Sequence, residues 1–86
     1  MATFHLVIAS VGETRFEGEA ISATFPGRSG ELTVLAHHEP FVTTLKRGLI
    51  TVRAPSAGGG SAPSRKEFPV ESGVLEVSGN HAVVLL

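Results

Sequence analysis

The 86-residue sequence contains no cysteine. That removes disulfide staples, thiolate nucleophiles and cysteine-built metal sites, and it agrees with a reducing compartment. Aspartate is missing too, since all eight acidic residues are glutamates. Aspartate-built magnesium sites and aspartate-containing catalytic triads therefore lack their usual members. No segment approaches the roughly 20 consecutive apolar residues that a membrane helix needs. The opening Met1-Ala2-Thr3-Phe4-His5 also lacks the basic region and apolar run of a secretory signal. Seven Lys and Arg stand against the eight Glu, a formal charge of −1, and the cations are scattered. That pattern gives no electrostatic footprint for nucleic acid or an anionic membrane. The expected location is cytoplasmic, with any membrane association made through other proteins.

Stretches free of glycine and proline are short; the longest runs from Met1 to Val11. Long helices are thereby excluded. Between the breaks, hydrophobicity alternates with period two: Phe4, Leu6 and Ile8 share one face, as do Leu49 and Thr51, or Leu75 and Val77. This predicts strands near 3–9, 14–25, 31–35, 41–45, 48–54, 66–72, 73–78 and 81–86. The fold class is all-β, a small two-sheet β-sandwich of about eight to ten short strands, in a single domain over 1–86. Glu13 to Phe25 is long for one strand, and Gly18 in its middle predicts a bulge or bend that lets one segment serve both sheets. Ser78-Gly79-Asn80-His81 reads as a tight hairpin, because Gly and Asn both accept positive φ. Residues 54–64, rich in Gly, Ser, Ala and Pro, are read as a flexible loop between two strands.

Few residues invite chemistry. His37, His38 and Glu39 suggest a metal, yet adjacent strand residues point to opposite faces and the helical spacing that brings two histidines onto zinc is absent. His5 and His81 can meet only through tertiary structure. Gly58-Gly59-Gly60 has no following Gly-Lys-Ser/Thr and no helix to present its N-terminus to a phosphate, so it reads as linker. Pro26-Gly27-Arg28-Ser29-Gly30-Glu31-Leu32 is more specific: a tight turn that leaves Arg28 and Glu31 on its rim, either a solvated tip or a docking loop. No catalytic residue, cofactor or metal ligand is assigned.

From this loop outward the sequence resembles the N-terminal domain of the epsilon subunit of F-type ATP synthase. The resemblance is carried by Phe16-Glu17-Gly18-Glu19-Ala20, by Phe25-Pro26-Gly27-Arg28-Ser29-Gly30-Glu31-Leu32-Thr33-Val34-Leu35, by His38-Glu39-Pro40-Phe41-Val42-Thr43-Thr44-Leu45-Lys46-Arg47-Gly48, and by Ser72-Gly73-Val74-Leu75-Glu76-Val77. These blocks cover nearly the whole chain in the family's order. The resemblance implies a β-sandwich at the foot of the central stalk, bound to the gamma subunit and the c-ring of a proton- or sodium-translocating synthase. Its place would be the cytoplasmic face of the bacterial inner membrane. Matched residue by residue, it implies partner contacts at Gly27, Arg28, Ser29, Gly30, Glu31, His38, Pro40 and Thr43, with Glu31 the charged contact on the ring.

The sequence departs from the family at Ala36-His37, where Pro-Gly is usual, at Glu39, where Ala is usual, and at Glu71-Ser72-Gly73 in place of Ser-Gly-Gly. The family's two C-terminal helices do not follow Leu86, so neither ATP binding nor autoinhibition is expected; tight ATP binding by calorimetry would overturn that expectation. Two other function classes compete: a free-standing module that binds a small ligand or peptide at a sheet edge, and a small metal hydrolase on His37, His38 or Glu39.

Overall fold

A computed structural model describes residues 2–55 and 63–86. The described chain is built of strands: β1 (Phe4–Ser10), β2 (Glu13–Ala20), β3 (Ser22–Gly27), β4 (Gly30–Leu35), β5 (Phe41–Leu45), β6 (Gly48–Ala54), β7 (Ser64–Val70), β8 (Gly73–Ser78) and β9 (His81–Leu85). They pair in the order β2-β1-β9-β8-β5-β3-β6-β7, with β4 on the other edge of β3. β1 and β9 run parallel; every other pair is antiparallel. The link between β5 and β3 is one residue pair, Leu45 with Gly27. At that narrow joint the sheet folds over, so that β2-β1-β9-β8-β5 forms one layer of a sandwich and β4-β3-β6-β7 the other.

The alternation in the sequence explains why the layers close. Phe4, Leu6 and Ile8 of β1, Leu75 and Val77 of β8, and Ala82 and Val84 of β9 are buried. They meet Ala23 and Phe25 of β3, Val34 of β4, and Ile50 and Val52 of β6 in one cluster. Among the described residues no polar or charged side chain is buried, so the core carries no desolvated polar group needing a partner.

Three sequence expectations are corrected in detail. The long strand over 14–25 is two strands: the chain leaves the first layer at Ile21, whose N–H donates to the Arg53 carbonyl of β6 at 2.7 Å. The bend therefore falls where a backbone partner in the second layer is waiting, between buried Ala20 and Ala23. Gly18 is not the bulge, since it pairs in register with Leu6; the irregularity lies between Ile8, opposite Phe16, and Ala9, opposite Thr14, leaving Arg15 as the extra residue. An exposed residue close to a tight turn absorbs the extra length at little packing cost. The loop assigned to 54–64 is too wide, because Ala54 is buried in β6 and pairs with Ser64 at the start of β7; the Gly/Ser-rich residues 56–62 lie outside the described residues. The hairpin at 78–81 forms as expected, with Ser78 opposite His81 and positive φ at Gly79 (57°) and Asn80 (61°).

Candidate docking site

The turn singled out in the sequence is the hairpin tip between β3 and β4, closed by the pair Gly27–Gly30. Glycine is required at 27: a Cβ there would lie 2.7 Å from the Gly30 carbonyl oxygen and 2.7 Å from Leu32 Cδ2. Gly30 has φ of 140°, open to glycine alone in practice. The tip is pinned to the end of β5 from both sides. Arg28 N–H donates to the Thr44 carbonyl (3.0 Å), and Lys46 N–H donates to the Pro26 carbonyl (2.9 Å). The backbone is thus fixed while Arg28, Ser29 and Glu31 stay exposed. Such an arrangement presents polar side chains on a backbone already ordered, so that binding has only those side chains left to fix.

His38 and Pro40 occupy the connection from β4 to β5, at the other end of β5. As the Nδ1–H tautomer, His38 donates to the Glu39 carbonyl (2.9 Å), and its ring lies 5.0 Å from that of Phe41. His37 adopts φ of 63°, unusual for a non-glycine residue. Asn80 holds it there. The Asn80 Oδ1 accepts the His37 N–H at 2.7 Å, and its Nδ2 donates to the Thr3 carbonyl at 3.0 Å. The Asn80 carbonyl also accepts the His5 N–H at 3.2 Å. One side chain therefore ties the β8–β9 hairpin to both the start of the chain and the loop that carries His38.

The implied contact residues do not gather at one point. Gly27 to Glu31 lie beside Leu45, whereas His38 and Pro40 lie beyond Phe41, and β5 separates the groups by about 13 Å at 3.3 Å per residue. Thr43, midway, is half-buried on the side of the strand shared with Phe41 and Leu45, and its hydroxyl donates to the Thr44 carbonyl at 3.3 Å. His37, His38 and Glu39 are exposed and form no ligand cluster; among the described residues no group of three or more His, Cys, Asp or Glu is placed to hold a metal.

Two features escaped the sequence reading. The outward face of the first layer carries an apolar patch: Ala9, Leu85 and Val74 lie side by side across β1, β9 and β8, next to Val7 and Val83, while Glu76 stands between Val83 and Val42 of β5. Val42 is 66% exposed and Leu85 59%. The signal was present in Val83-Val84-Leu85, which is apolar on both parities and so marks a strand with two faces to cover. Beside the patch, His5 stands between two β2 carboxylates, Nδ1 3.3 Å from Glu19 and Nε2 3.5 Å from Glu17, with the His81 ring 5.7 Å away. The Thr3 hydroxyl donates to Glu19 at 2.7 Å. That hydrogen bond, followed by the one from His5, holds the Glu19 carboxyl below its ordinary pKa.

Comparison with known proteins agrees with this architecture. The family model for the ATP synthase delta/epsilon chain β-sandwich domain matches residues 3–86. The ATP synthase epsilon chain of Bradyrhizobium sp. strain BTAi1 is 38% identical over 85 residues, 99% of this chain and 58% of that relative. The epsilon chain of Delftia acidovorans is 40% identical over 86 residues, 99% of this chain and 57% of the relative. The chain thus spans under three-fifths of the length of these curated relatives. In fold, it is similar to a chain in the cryo-EM structure of the Euglena gracilis mitochondrial ATP synthase, with a TM-score of 0.81 at 22% identity, covering 99% of this chain and 51% of the other. A chain of the Tetrahymena thermophila mitochondrial ATP synthase central stalk and c-ring gives a TM-score of 0.76 at 13% identity, covering 94% and 60%. With the family model spanning both layers and every strand, this chain belongs to the ATP synthase delta/epsilon chain β-sandwich domain family.

Proposed function

We propose that this domain is a non-catalytic subunit, or subunit part, of the central stalk of a rotary ATP synthase, and that it docks the gamma subunit onto the c-ring so that rotation is coupled to ATP synthesis. The observation that carries the reading is the family match over residues 3–86, joined by relatives named ATP synthase epsilon chain. The geometry supports two docking ends. The pinned tip Gly27-Arg28-Ser29-Gly30 with Glu31 offers polar contacts suited to the loops of the ring. The opposite end, with His38 and Pro40, and Thr43 between, offers contacts to gamma. The apolar row of Ala9, exposed Leu85 and exposed Val74 supports protein docking in general, because contiguous exposed apolar surface marks interaction sites.

On this reading the domain is peripheral to the membrane through its complex, at the cytoplasmic face of a bacterial inner membrane, with a proton or sodium ion as coupling ion, and it needs no cofactor of its own. The test is binding to a reconstituted gamma–c-ring complex and to gamma alone. Glu31→Ala should leave the thermal melt unchanged, weaken attachment to the complex by a few-fold in a salt-dependent way, and spare binding to gamma. His38→Ala should weaken both. Unchanged attachment in both variants, or no attachment of the unmodified chain, would overturn the proposal.

A further inference from the structure

The hairpin between β8 and β9 needs positive φ at its two central residues, which glycine, asparagine or aspartate can each supply. Gly79 (57°) and Asn80 (61°) meet that need through their backbones alone. The Asn80 side chain does something further. His37 N–H can only donate and the Thr3 carbonyl can only accept, so the bonds of 2.7 Å and 3.0 Å to them fix which way the amide faces. These two partners lie 43 and 77 positions away in the sequence. Among the described residues, no other hydrogen bond reaches the loop between Leu35 and Phe41 from another part of the fold. The remaining ones are local, from His38 N–H to the Leu35 carbonyl (3.3 Å) and between the His38 ring and the Glu39 carbonyl (2.9 Å). His37 itself sits at φ of 63°, a left-handed conformation that a non-glycine residue keeps only where its surroundings impose it.

We propose, on the stalk reading that gives His38 and Pro40 to gamma, that Asn80 is a positioning residue for that contact. Acting through the His37 backbone, it holds the segment from His38 to Pro40 in the shape that gamma meets. His37, His38, Glu39 and Pro40 are all exposed, so apolar burial contributes little to ordering them and a single bond from outside the loop carries weight. Without that bond the loop spends part of its time in other shapes, and affinity falls in proportion to the fraction left competent. The other docking end does not depend on Asn80. Its turn is held by its own backbone bonds, from Arg28 N–H to the Thr44 carbonyl and from Lys46 N–H to the Pro26 carbonyl. Loss of the Asn80 amide should therefore loosen one end of the domain and spare the opposite one.

Two variants of the full chain test this. Asn80→Gly keeps the hairpin and removes both side-chain bonds; Asn80→Asp keeps an oxygen to accept the His37 N–H and gives up the donor to Thr3. With gamma alone, by calorimetry well below the melting temperature of either variant, Asn80→Gly should raise Kd about threefold to tenfold. Asn80→Asp should recover most of that loss. The factor by which the c-ring tightens attachment over gamma alone should match that of the unmodified chain in both variants, whereas a general loosening of the sandwich would shrink it. In the free chain, NMR order parameters should fall at His37 and His38 in Asn80→Gly and hold at Arg28 and Lys46. Unchanged gamma affinity in Asn80→Gly overturns the positioning role and leaves the stalk reading standing. So does an Asn80→Asp variant that binds no better than Asn80→Gly, a reduced ring factor, or unaltered order at His37. Failure of the unmodified chain to bind gamma overturns both.

Discussion

Asn80 carries more structure than a hairpin residue needs, and replacing it separates two roles. Asn80→Gly keeps the positive φ of 61° available but deletes the bonds to His37 N–H (2.7 Å) and the Thr3 carbonyl (3.0 Å). At about 0.5–1.5 kcal/mol net for each bond, the loss should be about 1–3 kcal/mol. Asn80→Ala loses the same bonds and also places a Cβ in the left-handed region. It should therefore be worse than Asn80→Gly by about 1 kcal/mol, after allowing for the greater freedom of glycine in the unfolded chain. For a domain of this size each kcal/mol lowers Tm by about 4–8 °C, so thermal and urea melts resolve both steps. Amide exchange should quicken at His37, the root of the loop that presents His38 and Pro40. If Asn80→Gly costs under about 0.3 kcal/mol while His37 remains protected, the side-chain bonds do not hold that loop and the reasoning fails.

His37 occupies a left-handed position that glycine adopts without strain, so His37→Gly should stabilise the fold by about 0.5–1 kcal/mol, measured by urea denaturation; a destabilised variant would show that the imidazole itself holds the loop. Leu75 is fully buried among core side chains, and Leu75→Ala should cost about 2–5 kcal/mol, whereas Leu49→Ala, on the outward face of β6, should cost far less in the same melts. Glu19 has its pKa lowered chiefly by the Thr3 hydroxyl and then by His5. A carboxyl depressed in the folded state adds stability above its unfolded pKa of about 4.3, and that stability is lost as pH falls through the folded value. Glu19→Gln should therefore flatten the stability profile below about pH 4.3; an unaltered acid limb would count against the hydrogen bond.

Much of the fold was legible because a sandwich strand writes itself with period two. Phe4, Leu6 and Ile8, and Leu75 and Val77, alternate as their burial requires, and Gly-Asn in the last hairpin declares its turn by backbone sterics alone. The bulge was misplaced because glycine permits a bulge without demanding one. What decides is register across the ladder, set by where the Val11-Gly12 turn closes and by which β1 residue each β2 residue meets. The break at Ile21 was hidden for the same reason: its backbone partner, Arg53, lies 32 positions away in the sequence.

The candidate site divides along the same line. The sequence by itself determined that Gly27 to Glu31 form a tight, polar-rimmed turn and that His38 and Pro40 lie in a loop, because glycine and proline act through local dihedral angles. Only the tertiary structure decided that β5 holds these groups apart at its two ends, that Asn80 anchors His37 from another hairpin, and that Ala9, Leu85 and Val74 line up across three strands on one outward face. Those outcomes depend on which strands become neighbours. Neighbourhood is settled by the joint closing of two apolar faces over one core, a choice that no single segment encodes.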